Sequence, residues 1–398
     1  MSKKFLNWAH FIVVASLILA ACAPAATPTP TTAPELKVGL ILVGPKEDKG
    51  WSQAHWDGVQ YALAKVPGAT LEYIDKVNPA DRPGVTVEQI ADDFASKGVK
   101  LIITNSADFK DGTTNAAKAH PDIIFIHMSG DAVLDGSAPP NLGNIMGRME
   151  YGKMIAGCAA ALTSQTGVIS YLGPLIDPET RRLVNSTYLG AKYCWENYRG
   201  KSAADLKFSV TWIGFWFNIP GVTLDPTQVA NDFFNAGTDV ILSGIDTTEA
   251  IVVAGQRAAA GEKVWAIPYD YEGACEVSAD ICLGVPYFNW GPAYAKLFQA
   301  VQSGTWKQSW DWNGPDWSNL NNKDTSAIGW LSGKGLSAES QASLDKFIAG
   351  LGDGSIQLFT GPLNYQDGSV FVAAGQVADD KTIWYTQQLL EGINGVSQ

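Results

Sequence analysis

The stretch that decides the fold runs from Lys37 to Ala62 and reads KVGLILVGPKEDKGWSQAHWDGVQYA. It begins with an apolar run, Val38–Val43, that is typical of a buried strand, and Trp51 later opens an amphipathic pattern that predicts a helix. A strand that leads through a polar loop to a helix is the first βα unit of a doubly wound parallel sheet, whose ligands bind at the carboxyl ends of the strands. Asp48 and Trp51 are therefore candidate binding residues, although Trp51 is equally well explained as a hydrophobic plug under the loop.

The alternation of apolar runs and helical patterns continues along the chain in two series. Further strands of the first series are predicted at residues 70–74, 101–104 and 123–127. After a helical pattern at 148–163, those of the second series are predicted at 167–172, 207–213, 240–243, 264–268 and 283–287. Strands that alternate with helices indicate βαβ units and a parallel sheet, so the repetition predicts an α/β fold with two similar lobes.

Side chains suited to ligand binding recur where the predicted strands of both series end. Besides Asp48 and Trp51, the candidates are Ser106, Asp108, Trp212, Trp216, Asp246, Asp270, Asn289 and Trp290. Carboxylates and aromatic rings that recur at this edge in both series are expected to converge on one cleft. For any single residue, a helix cap or a loop contact remains an equally good explanation.

No catalytic motif is evident in the sequence. It contains no Gly-x-Ser-x-Gly turn and no phosphate-binding Walker loop. Asp246 and Asp270 could form an acid/base pair, but hydrogen bonding to ligand donors is the simpler role for them. Four scattered histidines and the absence of Cys-x-x-Cys pairs argue against zinc. A binding protein without cofactor or metal is therefore expected rather than an enzyme.

The first residues have the features of a targeting segment. Lys3 and Lys4 precede an apolar run, Phe11–Ala20, that is too short to span a membrane comfortably. The sequence Leu19-Ala20-Ala21-Cys22 resembles a bacterial lipobox, so residues 1–21 are predicted to be a lipoprotein signal peptide and Cys22 the lipidated residue. A plain secretory signal is the alternative. Residues 22–36 are rich in Pro, Thr and Ala and are expected to form a tether.

The composition restricts the possible partners. The formal charge of -12 and the pI near 4.8 argue against nucleic acid or an anionic membrane surface. The 14 tryptophans suit the binding of a flat or sugar-like ligand, although tryptophans also fill cores. Apart from Cys22, four cysteines remain, which allow three pairings outside the cytoplasm. The short spacing favours Cys275 with Cys282, which leaves Cys158 and Cys194 as a second disulfide or as buried thiols.

Several segments resemble the basic membrane protein family of ABC-transporter substrate-binding lipoproteins. Asp48-Lys49-Gly50-Trp51-Ser52 is similar to the Asp-Lys-Ser-Phe-Asn segment of that family, and the helix at 149–157 and the strand at 167–172 are similar to the opening of its second lobe. The segments that look closest to its nucleobase-binding branch are Val43-Gly44-Pro45, Gly50-Trp51, Asp246-Thr247-Thr248, Asn289-Trp290-Gly291-Pro292 and Thr360-Gly361-Pro362.

This resemblance implies a type I periplasmic-binding-protein fold with two lobes, a hinge and a ligand cleft. The lobes are expected to comprise residues 37–145 plus about 291–325, and about 146–290 plus about 326–398. By position, Trp51 and Trp216 take the places of stacking aromatic residues, and Asp270 that of an aspartate that contacts ribose in nucleoside binders. Where nucleoside binders have a lysine, this chain has Tyr287-Phe288-Asn289-Trp290.

The resemblance also implies a function. We expect a monomeric, lipid-anchored receptor on the extracytoplasmic face of the cell membrane that closes on a purine and delivers it to the permease subunits of an ABC importer. Free adenine is expected to bind better than its nucleoside. The alternatives are a sugar or autoinducer receptor of the same fold and a surface nucleoside hydrolase.

Overall fold

Two parallel β-sheets organise the computed structural model, which describes residues 34–398. Strands and helices are numbered in chain order. The first sheet has six strands in the order β11-β5-β4-β3-β1-β2. Its strands are β1 (Leu36–Ile41), β2 (Ala69–Ile74), β3 (Leu101–Thr104), β4 (Ile124–Met128), β5 (Leu142–Gly147) and β11 (Trp310–Asn313). The central strands β1 and β3 are almost entirely apolar and buried, as expected for a sheet covered on both faces.

The second sheet has five parallel strands in the order β15-β7-β6-β8-β9. They are β6 (Val168–Gly173), β7 (Lys207–Trp212), β8 (Val240–Ser243), β9 (Trp265–Ile267) and β15 (Ile393–Asn394). We call the parts of the chain built around the two sheets the first lobe and the second lobe. The expected α/β architecture with doubly wound parallel sheets is confirmed.

The helices connect and cover the strands. They are α1 (Trp51–Lys65), α2 (Val87–Ser96), α3 (Lys110–Ala119), α4 (Ala132–Asp135), α5 (Met149–Thr163), α6 (Pro178–Asn197), α7 (Pro226–Asn235), α8 (Glu249–Ala259), α9 (Gly291–Gln302), α10 (Ala338–Gly352) and α11 (Asp380–Trp384). Local sequence fixes several of their starts. The side chain of Asp177 accepts a hydrogen bond from the Thr180 amide, and Pro178 occupies the first turn. These two features start α6 a few residues after the carboxyl end of β6.

One predicted strand has a different role from the one expected. The segment predicted at 283–287 forms β10 (Gly284–Phe288), but β10 pairs antiparallel with β12 (Ile328–Ser332) in a separate two-stranded sheet. Within residues 34–398, isolated bridges such as that of Asp270 with Tyr287 connect it to the end of the second sheet. A short hairpin of β13 (Leu363–Asn364) and β14 (Val370–Val372) lies in the C-terminal part.

Two disulfides join neighbouring elements of the second lobe. Cys158 of α5 is bonded to Cys194 of α6, and Cys275 is bonded to Cys282. Across residues 34–398, no helix has the length and apolar character needed to cross a membrane. Cys22 and the predicted signal peptide lie outside the described residues, as does most of the predicted tether.

Candidate functional site

A small cavity lies between the two lobes, where the carboxyl ends of their strands face each other. From the first lobe it is lined by Trp51, Asn105, Ser106, Ala107 and Ser129. From the second lobe it is lined by Tyr171, Pro174, Glu179, Thr180, Leu183, Trp216, Gly244, Asp246 and Tyr269. Four residues predicted from the sequence, Trp51, Ser106, Trp216 and Asp246, are therefore brought together at this cavity.

Trp51 is held rigidly on the first-lobe side. It is the first residue of α1, and its indole Nε1 donates a hydrogen bond of 2.5 Å to the carbonyl oxygen of Asn105. The rings of His55 and Phe288 contact it edge-on, with centroid distances of 4.5 and 5.1 Å. Because its polar atom is satisfied and its ring is packed, Trp51 presents a preorganised aromatic surface to the cavity.

Trp216 reaches the cavity from the second lobe and also contacts the first. Its indole Nε1 donates a 3.0 Å hydrogen bond to Oδ2 of Asp108, which lies in the 3₁₀ helix Ala107–Phe109 after β3. The carbonyl oxygen of Trp216 accepts a hydrogen bond from the amide of Asp246. Burial raises the pKa of Asp108, while the hydrogen bond from Trp216 lowers it. The predicted residue Asp108 therefore joins the two lobes at the rim rather than lining the cavity.

Two carboxyl groups that line the cavity have oxygen atoms without a hydrogen-bond partner among the described residues. The side chain of Asp246 receives no hydrogen bond from any described residue, and Oε2 of Glu179 is buried and unpaired. Burial raises the pKa of Asp246 well above its usual range, and it raises the pKa of Glu179 to about 7 against the attraction of Arg182. These acids are hydrogen-bonding groups that a ligand can satisfy.

Asp270 lies behind the cavity and does not line it. It is completely buried, its backbone has a φ of 70°, and neither oxygen of its carboxyl group has a hydrogen-bond partner among residues 34–398. Burial raises its pKa, and the nearby ammonium group of Lys153 opposes that increase. Lys153 is itself buried, donates a 2.7 Å hydrogen bond to the carbonyl oxygen of Ser243, and lies 3.3 Å from the ring centroid of Tyr269. The second lobe therefore contains a lysine near the site that the sequence analysis did not single out.

Asp48 has a local structural role. Its carboxylate accepts hydrogen bonds of 2.9–3.0 Å from the amides of Gly50, Ser52 and Gln53, which are free donors at the start of α1. Burial nevertheless raises the pKa of Asp48 to about 6. It stabilises the loop that carries Trp51, and its side chain does not line the cavity.

Trp212, Asn289 and Trp290 also lie away from the cavity. The indole of Trp212 donates to the carbonyl oxygen of Val396 in the C-terminal segment. The side-chain Nδ2 of Asn289 donates to the carbonyl oxygens of Lys323 and Ser326. Trp290 is buried behind Trp51, where it stacks on His55 and Phe288 at 4.4 and 4.7 Å. Asn289 and Trp290 follow β10, and because β10 is not a strand of either parallel sheet, its end does not open onto the cavity.

The sequence analysis missed several lining residues of the second lobe. Tyr171 lies in β6 and Glu179 lies in the first turn of α6. A usable signal was present for Glu179, because Asp-Pro-Glu-Thr at 177–180 follows β6 as the loop of Trp51 follows β1. The two residues therefore occupy corresponding places in the first βα unit of each lobe.

The lobes approach each other closely at Gly50. A Cβ atom built on Gly50 would lie only 1.7 Å from the carbonyl oxygen of Asp246, and the next nearest atoms also belong to Asp246. Glycine is therefore required where the first lobe meets the second. Together with the bond from Trp216 to Asp108, this contact defines a closed cleft.

A closed cleft between two doubly wound lobes defines the class of two-lobed solute-binding proteins, and comparisons with known proteins agree. A solute-binding protein structure from Aeropyrum pernix superposes with a TM-score of 0.64 at 12% identity, covering 87% of this chain and 95% of that one. An ABC-transporter solute-binding protein from Conexibacter woesei gives a TM-score of 0.57 at 18% identity, covering 81% and 97%. These likenesses support the type I periplasmic-binding-protein fold.

The family is shown by sequence. The family model described as "ABC transporter substrate-binding protein PnrA-like" matches residues 35–313, and the chain belongs to this family. A purine-binding protein of Brucella abortus is 30% identical over 349 residues, which cover 88% of this chain and 90% of that protein. A putative glucose-binding protein of an ABC transporter in Haloferax volcanii is 24% identical over 285 residues, covering 72% and 66%. The expected family of extracytoplasmic substrate-binding proteins is thus confirmed.

Proposed function

We propose that the protein is a purine receptor of an ABC importer and that it binds a free base between Trp51 and Trp216. The observation that carries this proposal is the pairing of these tryptophans from opposite lobes with unpaired carboxyl groups in the same cavity. Base–aromatic stacking contributes about 1–3 kcal/mol per base, and purines also carry N–H donors for Asp246 and Glu179. The similarity to the Brucella abortus purine-binding protein supports this assignment.

Closure of the lobes couples binding to delivery. The first lobe contributes Trp51, and the second contributes Trp216, Asp246 and Glu179, so a ligand completes its contacts only when the cleft is closed. A ligand shifts a conformational equilibrium by its difference in affinity for the two states. The closed, loaded form is then the form that the permease distinguishes from the open, empty one.

A free base such as adenine is proposed to bind more tightly than its nucleoside. In nucleoside binders of the family, the aspartate at the position of Asp270 contacts ribose, whereas Asp270 here is enclosed behind the cavity. Asn289 is committed to the carbonyl oxygens of two loop residues, and the residues that line the cavity, all within the described part of the chain, include no lysine. A ribose would therefore enter without its usual hydrogen-bond partners, which is costly for polar groups in a buried site. Trp290 lies behind Trp51 and has no part in this preference.

Isothermal titration calorimetry with adenine, adenosine and glucose tests the proposal. We expect adenine to bind most tightly and glucose, the ligand class of the Haloferax volcanii relative, not to compete. Tighter binding of adenosine would contradict the free-base preference, and tighter binding of glucose would favour the sugar-receptor alternative. Incubation with nucleosides is a parallel test, because release of free base would favour the hydrolase alternative.

The lipid anchor is part of the same proposal. Cys22 follows Leu19-Ala20-Ala21, as in a lipobox. A single acyl chain gives only marginal membrane binding, so a multiply acylated cysteine is expected. Cys22→Ala should move the protein from the membrane fraction to the soluble fraction on cell fractionation. Retention of this variant with membranes would count against the anchor.

A further inference from the structure

Glu179 differs from the other cavity-lining residues because one of its carboxyl oxygens is buried and has no hydrogen-bond partner among the described residues. It is 8% exposed and lines the cavity, and its Oε2 has no hydrogen-bond partner among the described residues. The nearest guanidinium group, that of Arg182, is paired with Glu150. A buried acceptor without a partner is costly, so a ligand that supplies a donor here gains the hydrogen bond and removes the cost.

Most other polar groups at the cavity are already committed. The indole of Trp51 is bonded to Asn105, and the hydroxyl of Thr180 to the carbonyl oxygen of Leu175. Among the described residues, the cavity lining contains no lysine or arginine, so a ligand meets carboxyl groups rather than cations. The hydrogen-bonding edge of the ligand therefore meets these acids and the hydroxyls of Tyr171 and Tyr269, and Glu179 is the lining residue with an oxygen that is both buried and unpaired.

We propose that Glu179 is a specificity-determining ligand contact that selects between purines by their hydrogen-bonding edge. This inference rests on the purine-receptor function proposed above. An ionised carboxylate offers two acceptors, which match the adjacent N1–H and N2–H donors of guanine. A protonated carboxyl group offers one donor and one acceptor, which match a ring nitrogen and the 6-amino group of adenine. The protonation state of one side chain then decides which base fits.

The surroundings of Glu179 bring the pKa of its carboxyl group close to neutral pH. Its pKa is raised to about 7, mainly by burial. Several charged or titratable groups lie around Glu179: Asp177, Arg182, Glu150, Tyr171, Asp246, Tyr269 and Asp270. The hydroxyl of Ser129 faces it from the first lobe. Arg182 favours the charged form, and the other acids favour the neutral form. Both forms of Glu179 are thus populated near neutral pH.

The test measures adenine and guanine affinities by competition at about pH 6 and about pH 8, on either side of the pKa of Glu179. For the wild-type protein, we expect the ratio of guanine to adenine affinity to rise by at least about tenfold over this range, because the population of each competent form changes by about that factor. Glu179→Gln keeps one donor and one acceptor at all pH values. This variant should retain adenine binding, lose guanine binding by about tenfold or more, and lose the pH dependence of the ratio.

Glu249→Gln is the matched control, because Glu249 also lies in the first turn of a second-lobe helix and has an unpaired buried oxygen but does not line the cavity. It should behave as wild type. If the ratio of guanine to adenine affinity of the wild type does not change with pH, the inference is overturned without use of any variant. It is also overturned if the Glu179→Gln variant has the same affinity ratio as the wild type. In both cases purines still bind, and the proposed function stands. If neither base binds the wild type at either pH, the proposed function fails and the inference with it.

Discussion

Replacement of Gly50 by alanine tests whether binding depends on closure of the lobes. In the closed structure the new Cβ atom would lie 1.7 Å from the carbonyl oxygen of Asp246, whereas real contacts of this kind are not shorter than about 3.0 Å. The first lobe would therefore have to move away from the second by more than about 1 Å at this point. Because the three nearest atoms to this Cβ all belong to Asp246 of the second lobe, Gly50→Ala is expected to exclude the closed state.

The size of the effect follows from the contacts that closure provides. A lobe displaced by about 1 Å loses the hydrogen bonds that a ligand forms with Asp246 and Glu179, and hydrogen bonds between neutral groups contribute about 0.5–1.5 kcal/mol each. Loss of both corresponds to about fivefold to 150-fold weaker binding. The free energy of unfolding should change by less than about 1 kcal/mol, since no contact within the first lobe is lost.

Calorimetry with adenine and urea unfolding of the ligand-free protein measure the two quantities. Gly314→Ala is the control, because a Cβ atom there meets only the side chain of Arg148 at an ordinary 3.7 Å. X-ray scattering should show that wild-type protein contracts on addition of adenine and that Gly50→Ala does not. Wild-type affinity in Gly50→Ala would refute the reasoning, since the cleft would then bind its ligand without this close approach.

Three further predictions concern the site. Trp51→Ala should weaken adenine binding by about tenfold to 100-fold in calorimetry, with an unchanged circular dichroism spectrum. Trp56→Ala, on the same helix, should leave adenine binding unchanged. Equal losses of affinity in the two variants would contradict a stacking role for Trp51. Trp216→Phe keeps an aromatic ring but removes the hydrogen bond to Asp108. Stopped-flow fluorescence should therefore show that this variant releases its ligand about tenfold faster than the wild type. An unchanged release rate would show that this hydrogen bond does not hold the lobes closed. Folding raises the pKa of Glu179 from an ordinary 4.5 to about 7. Between these pH values the folded state keeps a proton that the unfolded state has released. The contribution of Glu179 to the free energy of unfolding is therefore fully present below about pH 4.5 and is lost as the pH rises through about 7. The free energy of unfolding of wild type relative to Glu179→Gln, measured in urea, should therefore fall by on the order of 3 kcal/mol over this range, and a constant difference would contradict the raised pKa.

The fold could be predicted well because the relevant signals are local. The apolar run at Val38–Val43 and the helix that begins at Trp51 identified the first βα unit, and the same alternation located most strands of both parallel sheets. Pairing between distant segments could not be predicted in this way. Strand β10 has the composition of a buried parallel strand, yet its partner β12 lies about 40 residues further along the chain and runs antiparallel to it. A pattern of residue types carries no information about such a partner.

The candidate site was predicted less completely, for the same reason. Trp51, Ser106, Trp216 and Asp246 line the cavity because each follows a strand of a parallel sheet. Asp48 is nearby, but the free amides at the start of α1 compete for its carboxylate. The roles assigned to individual residues stay predictions until binding is measured.

The order in which the strands appear along the chain has a consequence for biosynthesis. The first sheet lacks one of its two edge strands until β11 (Trp310–Asn313) has been made. The second sheet lacks one of its two edge strands until β15 (Ile393–Asn394) has been made. Each lobe thus needs a strand that is synthesised long after its neighbours, and such distant pairings form slowly. We expect a nascent chain to stay incompletely folded until β15 has left the ribosome. An incompletely folded chain can still be threaded through a secretion channel, so this topology favours export before folding.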